Sequence, residues 1–336
     1  RLHSVEQKLV RTGRQFLDLE YLAVELFRER IRINGEMISE AWVADWVTSH
    51  LEFLKKQELS FFEMTVGLAF DFFAQEQVDI AVIEVGMGGR LDSTNVIAPL
   101  LSIITNIGFD HTQFLGDTLE KIAGEKAGII KANTPVVVGQ TQNETEPVFR
   151  KKAHDMNAPI YFADQNLALT SHGNYSDKIV FDIHDGSNLI AKDYVCPLSG
   201  AYQRKNLVTL FQALLVLKLL GFNIGNNNIQ QGIENVVTNT SFRGRWEIIG
   251  REPLTVCETA HNSDGIKSML EKLDTIQFNK LHIIYGCVND KDFVQILNML
   301  PEKAIYYYTE PSVPRKMPVE QLSETAAKNG MAGESY

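Results

Sequence analysis

The chain is poor in cysteine, lacks long apolar runs and has no excess of basic residues, and each shortage removes a class of protein. Cys196, Cys257 and Cys287 are the only three cysteines in 336 residues. They are odd in number, far apart and form no CxxC, so neither a zinc site nor a disulfide framework is signalled. Scattered thiols fit a reducing cytosol. No apolar run approaches the roughly 20 residues needed to cross a bilayer. A net charge of −10 argues against non-specific binding to nucleic acid or an anionic membrane. It leaves room for local positive charge beside an anionic substrate. The opening RLHSVEQK has no apolar h-region, so no signal peptide is expected, and without an initiator Met at least one residue is expected to precede it. A P-loop Lys-Ser is also nowhere in the chain.

What is present reads as an α/β protein of two domains. The length suits two domains of roughly 100–200 residues. A hydrophobic fraction of 44% is ample for two cores. Asn34-Gly35 is a strong turn signal after ERIRI. Ser39 opens an apolar-periodic helix to about Lys56, and Ser60 with Glu63 forms a capping box ahead of a second helix to about Gln75. DIAVIEV (79–85), LLSIIT (100–105) and TPVVVG (134–139) are continuous apolar runs, the mark of strands buried on both faces. A helix over 118–131 separates the last two, so a parallel sheet with crossover connections is expected. Short alternating runs over 165–196, broken by turn dipeptides, predict a small antiparallel β unit. An amphipathic helix runs from Gln203 to Leu220 and stops at Gly221. TNTSFRGR (238–245) is aperiodic and reads as a linker. A second βα series follows, REPLTVCET, LHIIYGC, a helix at 291–300 and KAIYYYT, as in a smaller Rossmann-like domain.

The chemistry-bearing residues concentrate between Glu84 and Lys131. Glu84 ends the DIAVIEV run, and in open α/β sheets ligands bind at that carboxyl edge. A carboxylate there can hold Mg²⁺. Gly86, Gly88 and Gly89 allow close backbone approach to phosphate, or else simply make a tight turn. Asp110 and His111 follow the second strand to the same edge. The imidazole is a possible metal ligand, or a loop histidine held by Asp110. Lys126 reads either as a solvated helix lysine or as a neutral amine that takes up CO₂, which would need its pKa lowered. Arg245, past the linker, suits bidentate contact with phosphate or an interdomain salt bridge. In TAHNSDG, His261, Asn262 and Asp264 sit before a helix N-terminus, as an anion site or as an N-cap cluster.

EVGMGGRLDSTN, TNIGFDHTQFLG, EKAGIIK, the Gln203/Asn206 pair of AYQRKN, RGR, TAHNSDG, GCVNDKD and TEPSVPR occur in the order found in folylpolyglutamate synthases. The chain resembles that family, including its bifunctional dihydrofolate synthases, within the Mur ligase superfamily. ERIRING also looks like the segment just past the family's nucleotide loop. The resemblance implies a P-loop-like ATPase domain with a mostly parallel sheet and a small antiparallel unit over 1–240, and a smaller Rossmann-like ligase domain over 241–336. It implies Glu84 and His111 as Mg²⁺ ligands and Lys126 as a carbamylated lysine that holds a second Mg²⁺ and acts in catalysis. It implies ATP contacts from Asn206, Arg245, Glu258, Gly88 and Gly89. His261 would serve on the nucleotide or product side of an interdomain cleft, and Asp110 and Gln113 would lie toward the pterin.

The chain departs from the family in three places. The GTNGKGS loop, due within 17–28, is absent, which reads as a stretch missing from the sequence. ETAHN stands where the family usually has DGAHN, so Glu258 replaces an aspartate and reaches one carbon–carbon bond further. The chain also ends at GESY, where the family continues. The activity implied is ATP-dependent addition of L-glutamate to folate or dihydropteroate through an acyl phosphate, by a cytoplasmic monomer with no nucleic-acid or membrane partner. A Mur-type ligase of a cell-wall precursor, or a non-catalytic folate or nucleotide binder, is the alternative.

Overall fold

The computed structural model describes residues 27–336 apart from positions 174, 176, 201, 290–292, 314 and 315. Except for Phe27 and Arg28, the stretch where the nucleotide loop is due lies outside the described residues, as do parts of GCVNDKD and TEPSVPR. The chain divides into two compact units. The first runs to Gly173 and adds Ile179–Pro197 and Arg204–Phe242; the second comprises Asn174–Lys178, Leu198–Gln203 and Arg243–Tyr336.

The first strands described in the first unit are a hairpin of β1 (Arg32–Ile33) and β2 (Glu36–Met37). Its turn residues Asn34 and Gly35 have φ of 52° and 85°, the left-handed pair that a two-residue hairpin turn requires. Helix α1 (Glu40–Gln57) starts where Ser39 accepts the Trp42 N–H, and α2 (Phe61–Gln75) starts at a complete Ser60–Glu63 capping box. Ile31, Ile38, Val43 and Leu68 form the small core between them.

Three short strands, β3 (Ser102–Ile104), β4 (Val136–Val138) and β5 (Ile160–Phe162), form a parallel sheet in that order. Helices α3 (Thr112–Leu115) and α4 (Leu119–Lys126) lie between the first two strands, and α5 (Glu146–Asp155) precedes the third. Val136, Val137 and Val138 are completely buried, as expected of a strand covered on both faces. Ile104, Ile122, Ile130, Phe149 and Phe162 complete this core.

The 79–85 run departs from expectation. It carries no ladder among the described residues, and Ile80 and Val82 are 59% and 94% exposed. A continuous apolar run becomes a two-face-buried strand only when a neighbour supplies backbone partners, and no described strand pairs with it.

After α6 (Ala163–Asn166), strands β6 (Leu167–His172), β7 (Ile179–Asp185) and β8 (Asn188–Cys196) make the antiparallel meander that the alternating pattern predicts. Phe181 and Tyr194 on its inner face meet Phe211 of α7 (Gln203–Leu219) at ring separations of 6.1 and 5.9 Å. Helices α8 (Asn226–Glu234) and α9 (Val236–Thr240) close the unit, so the first part of the aperiodic TNTSFRGR stretch is helical.

In the second unit β9 (Glu247–Arg251) and β10 (Leu254–Cys257) form an antiparallel hairpin. REPLTVCET is therefore not the first strand of a parallel series: the chain turns back at Glu252-Pro253 and pairs with its own neighbour. The parallel sheet is built from β11 (His282–Tyr285), β12 (Ile305–Tyr308) and β13 (Gly333–Ser335) in that order. Helices α10 (Ser263–Leu273), α11 (Phe293–Leu297) and α12 (Val319–Lys328) supply its covering layer. Buried Tyr306 and Tyr308 satisfy their hydroxyls on the carbonyls of Pro301 and Met331, both at 2.6 Å. No helix among the described residues is long and apolar enough to cross a membrane.

Candidate functional site

The glycine turn after Glu84 is seated on the end of α4. A Cβ at Gly86 would lie 2.4 Å from Phe62, and one at Gly89 (φ 155°) would lie 2.9 Å from Ile129 and 3.1 Å from the Lys126 carbonyl. These positions admit only glycine because the backbone itself is the packing surface. The following residues pin the turn. The Arg90 N–H donates to the Glu125 carbonyl at 2.8 Å, and its guanidinium forks onto the Glu125 carboxylate at 3.0 and 3.1 Å. A Cβ at Gly128 would stand 2.3 Å from Arg90 Cα. Asp92 accepts the Met87 and Thr94 N–H groups at 2.8 and 2.9 Å, and Lys131 reaches the Asn95 carbonyl at 2.8 Å. EVGMGGRLDSTN and EKAGIIK are thus one rigid body.

Lys126 ends α4 inside that body, and its amine has no hydrogen bond or ion pair among the described residues. Burial lowers its pKa from the usual lysine range, and the Asp110 charge pulls it partly back. His111 has φ 48° and takes the N-cap position of α3, with its N–H donating to Asp110 Oδ1 at 2.9 Å. Its Nε2 lies 3.9 Å from the same oxygen. Glu84 is exposed and has no hydrogen bond or ion pair among the described residues, and Gln113 is exposed on α3. Glu84, Asp110 and His111 do not converge to metal-ligand spacing. Among the described residues the trio that does is His172, Asp182 and Asp193, on the antiparallel meander.

Asn206 is exposed on the first turns of α7, whose start is held at the carboxyl edge of the parallel sheet. Lys205 donates to Gln140 at 3.1 Å, and Gly139 lets Thr209 Oγ1 approach to where a Cβ would be 2.3 Å away.

The second unit gathers RGR and ETAHN. Gly244 and Trp246 flank Arg245 with φ of 74° and 52°. Arg245 Nη1 donates to the Thr259 hydroxyl, which donates in turn to the Gly244 carbonyl at 2.8 Å. Glu258 accepts three backbone N–H groups, from Trp246 at 3.0 Å, Thr259 at 2.9 Å and Ala260 at 3.1 Å. Burial raises its carboxyl pKa, opposed by Arg245 and by those N–H bonds. Tyr202, close enough to feel both charges, has its hydroxyl pushed up to about 12 by burial. His261 Nδ1 lies 3.1 Å from the Thr259 carbonyl, an acceptor, so that nitrogen carries the proton. Asn262 caps α10 by accepting the Gly265 N–H at 2.9 Å. The N-cap reading and the functional reading of TAHNSDG are compatible, since Asn262 does the capping and His261 stands outside the helix.

Sequence reasoning missed the Arg90–Glu125 fork and the Phe62 ring under Gly86. Partners 35 and 24 residues apart leave no local pattern, though an arginine directly following a glycine pair was the available signal.

The chain matches the Mur ligase middle domain over residues 35–213 and the Mur ligase glutamate ligase domain over 244–336. It is 33% identical to the folylpolyglutamate synthase of Lacticaseibacillus casei, covering 87% of this chain and 69% of that protein. It is 32% identical to a probable bifunctional folylpolyglutamate synthase/dihydropteroate synthase of Haloferax volcanii, over 92% of this chain but 37% of that longer protein. Among solved structures, the Thermotoga maritima folylpolyglutamate synthase superposes with a TM-score of 0.79 at 31% identity, covering 94% of this chain and 74% of that one. A folylpolyglutamate synthase complex with AMPPCP and folate superposes with a TM-score of 0.78 at 30% identity, over 94% and 79%. The order of motifs, the two domain matches and these superpositions agree: the chain belongs to the folylpolyglutamate synthase family of Mur ligases.

Proposed function

We propose that the protein is an ATP-dependent amide ligase that adds L-glutamate to a folate or dihydropteroate carboxylate. The observation that carries the reading is Lys126: a half-buried amine with no hydrogen bond or ion pair among the described residues, its pKa lowered by burial, at the edge of the glycine turn and within reach of the Asp110 charge. A solvated helix lysine would show neither burial nor a lowered pKa. Solved relatives holding AMPPCP with folate support ATP and a folate as its substrates.

ATP would phosphorylate the acceptor carboxylate, and the glutamate amine would displace phosphate from the acyl phosphate to close the amide. In its neutral form Lys126 Nζ can attack CO₂, forming a C–N bond and releasing a proton, which turns a cation into an anionic oxygen donor. The donor set fits magnesium: Glu84 offers an exposed carboxylate with no partner among the described residues, His111 offers an imidazole and Lys126 would supply a carbamate oxygen. Their open spacing is acceptable because Mg²⁺ keeps several waters. When bound, one or two Mg²⁺ ions would neutralise charge on the transferring phosphoryl group.

Gly88 and Gly89 keep the turn flush with α4, so phosphate can approach backbone N–H groups without a side chain intervening. Asn206 and Arg245 would contact the nucleotide, and Asp110 and Gln113 would face the pterin. His261, with Nδ1 protonated, would act through its ring at the nucleotide or product. Residues 1–240 would form the ATP and metal domain, and 241–336 the ligase domain. A cytoplasmic monomer without nucleic-acid or membrane partners goes with this reading, and sedimentation equilibrium tests the first part.

The decisive experiment incubates the protein with ATP, Mg²⁺ and L-glutamate, plus either dihydropteroate or tetrahydrofolate, and follows ADP and product mass. A gain of one glutamyl unit on either acceptor, stoichiometric with ADP, is expected. No amide product with either acceptor overturns the reading.

A further inference from the structure

The loop that carries Arg245 is held in a conformation its sequence does not favour. Trp246 has φ 52°, in the left-handed region that a bulky residue with a Cβ rarely adopts, and it is 7% exposed. Such backbone persists only where surrounding contacts over-determine it. Here the contacts are two carboxylates. Glu247 Oε2 accepts the Gly244 N–H at 2.9 Å on one side of Arg245, and Glu258 Oε2 accepts the Trp246 N–H at 3.0 Å on the other.

Glu258 does more than hold one loop. Its second oxygen accepts the N–H groups of Thr259 and Ala260, so a single side chain bridges RGRW and ETAHN. Thr259 is also the acceptor of the Arg245 guanidinium, and its own hydroxyl proton goes to the Gly244 carbonyl. One donor and one accepted bond suit a hydroxyl. The ring of interactions closes: Glu258 fixes Thr259 and Trp246, Thr259 fixes the Arg245 head and Gly244, and Glu247 fixes Gly244. A carboxylate has about four acceptor directions, and Glu258 spends three of them on backbone. Burial among these groups leaves it poorly placed to serve a ribose as well. The extra methylene relative to aspartate is what lets one carboxylate span both segments.

We infer that Glu258 is a positioning residue that clamps the strained Arg245 loop onto the Thr259–Ala260 segment and so presents the guanidinium in one orientation, rather than a group that touches the nucleotide. This rests on the reading that Arg245 contacts ATP.

The test compares wild type with Glu258→Gln, Glu258→Asp and Arg245→Ala, using ATP, 2′-deoxyATP and 3′-deoxyATP. It adds the fluorine resonance of 5-fluorotryptophan at position 246, assigned with Trp246→Phe and recorded without ligand. In Glu258→Gln an amide NH₂ replaces one oxygen and meets a backbone N–H, donor against donor. The expected result is a fall in kcat/KM of roughly 10- to 100-fold that is the same for all three nucleotides, because misplacement of a binding group costs about that much. The ligand-free resonance of Trp246 should shift or broaden. Glu258→Asp, which folds with its charge kept, should move both readouts in the same direction. If Glu258→Gln instead erases a wild-type preference for ATP over a deoxynucleotide, Glu258 binds the ribose and the inference falls. Wild-type kinetics together with an unmoved resonance in both Glu258 variants overturn it equally. Arg245→Ala judges the underlying reading separately: an unchanged KM for ATP there removes Arg245 from the nucleotide, while the Trp246 resonance still decides whether Glu258 clamps the loop.

Discussion

Lys126 shows how one residue type acquires two meanings. On an open helix face a lysine stays charged and solvated; here the end of α4 is roofed by the glycine turn and the amine finds no acceptor among the described residues. Lys126→Ala should lower turnover by roughly 10²- to 10⁴-fold, the scale for loss of a group acting on proton or charge development, with partial recovery on adding short carboxylic acids. A steady-state assay that finds undiminished turnover would return Lys126 to a structural role. The same residue predicts a pH effect on stability. Below its lowered folded pKa both states are protonated and the full cost of burying the charge is present. Above the ordinary value of 10.5 both are neutral and the cost is gone. In between the unfolded chain binds more protons, so stability rises with pH. Lys126→Met should therefore be more stable than wild type in CO₂-free buffer near neutrality, with an advantage that shrinks toward pH 10.5. Urea midpoints at several pH values check this; an advantage that grew with pH would contradict the burial argument.

At the scale of elements, local signals performed well where the chain satisfies itself and poorly where it needs a distant partner. The caps at Ser39 and Ser60 were legible because both donor and acceptor lie within four residues. Ser60→Ala should cost about 0.5–2 kcal/mol in denaturant titration. The meander over β6 to β8 was legible from alternation, since period two fixes which face is buried. β10 pairs antiparallel with β9 and the 79–85 run pairs with no described strand, because an apolar stretch does not state which strand it will pair with, or in which direction. The rigid body around Lys126 depends on contacts that no window could reveal. Gly128→Ala places a methyl 2.3 Å from Arg90 Cα, and backbone cannot yield as a flexible side chain would. That variant should lose about 1–3 kcal/mol, the range for overpacking, and should lose activity with it. A fully active Gly128→Ala enzyme would show that the loop need not sit on α4.

For the whole molecule, the two units have separate cores, one around Phe149 and the parallel sheet, the other around Tyr306 and Tyr308. Two-state unfolding is therefore not assumed. Scanning calorimetry with AMPPCP and Mg²⁺ should raise the transition of whichever unit holds most of the nucleotide. The expected stabilisation is about 2.7 kcal/mol at ligand near 100 times Kd. A thermogram that saturating nucleotide leaves unmoved would remove ATP from the proposed function.

The sequence by itself determined the family, the α/β class and the helix starts at Ser39 and Ser60, and it named the residues from which the proposed site is argued. Those are properties of order, spacing and period, which survive without coordinates. Only the tertiary structure decided what each side chain touches. It left Lys126 without a hydrogen-bond partner among the described residues, committed Asn262 to a cap and turned the Glu258 carboxylate onto three backbone N–H groups from two segments. The reason is physical: charge state and role depend on burial and on the nearest donors, and those donors come from residues far apart along the chain.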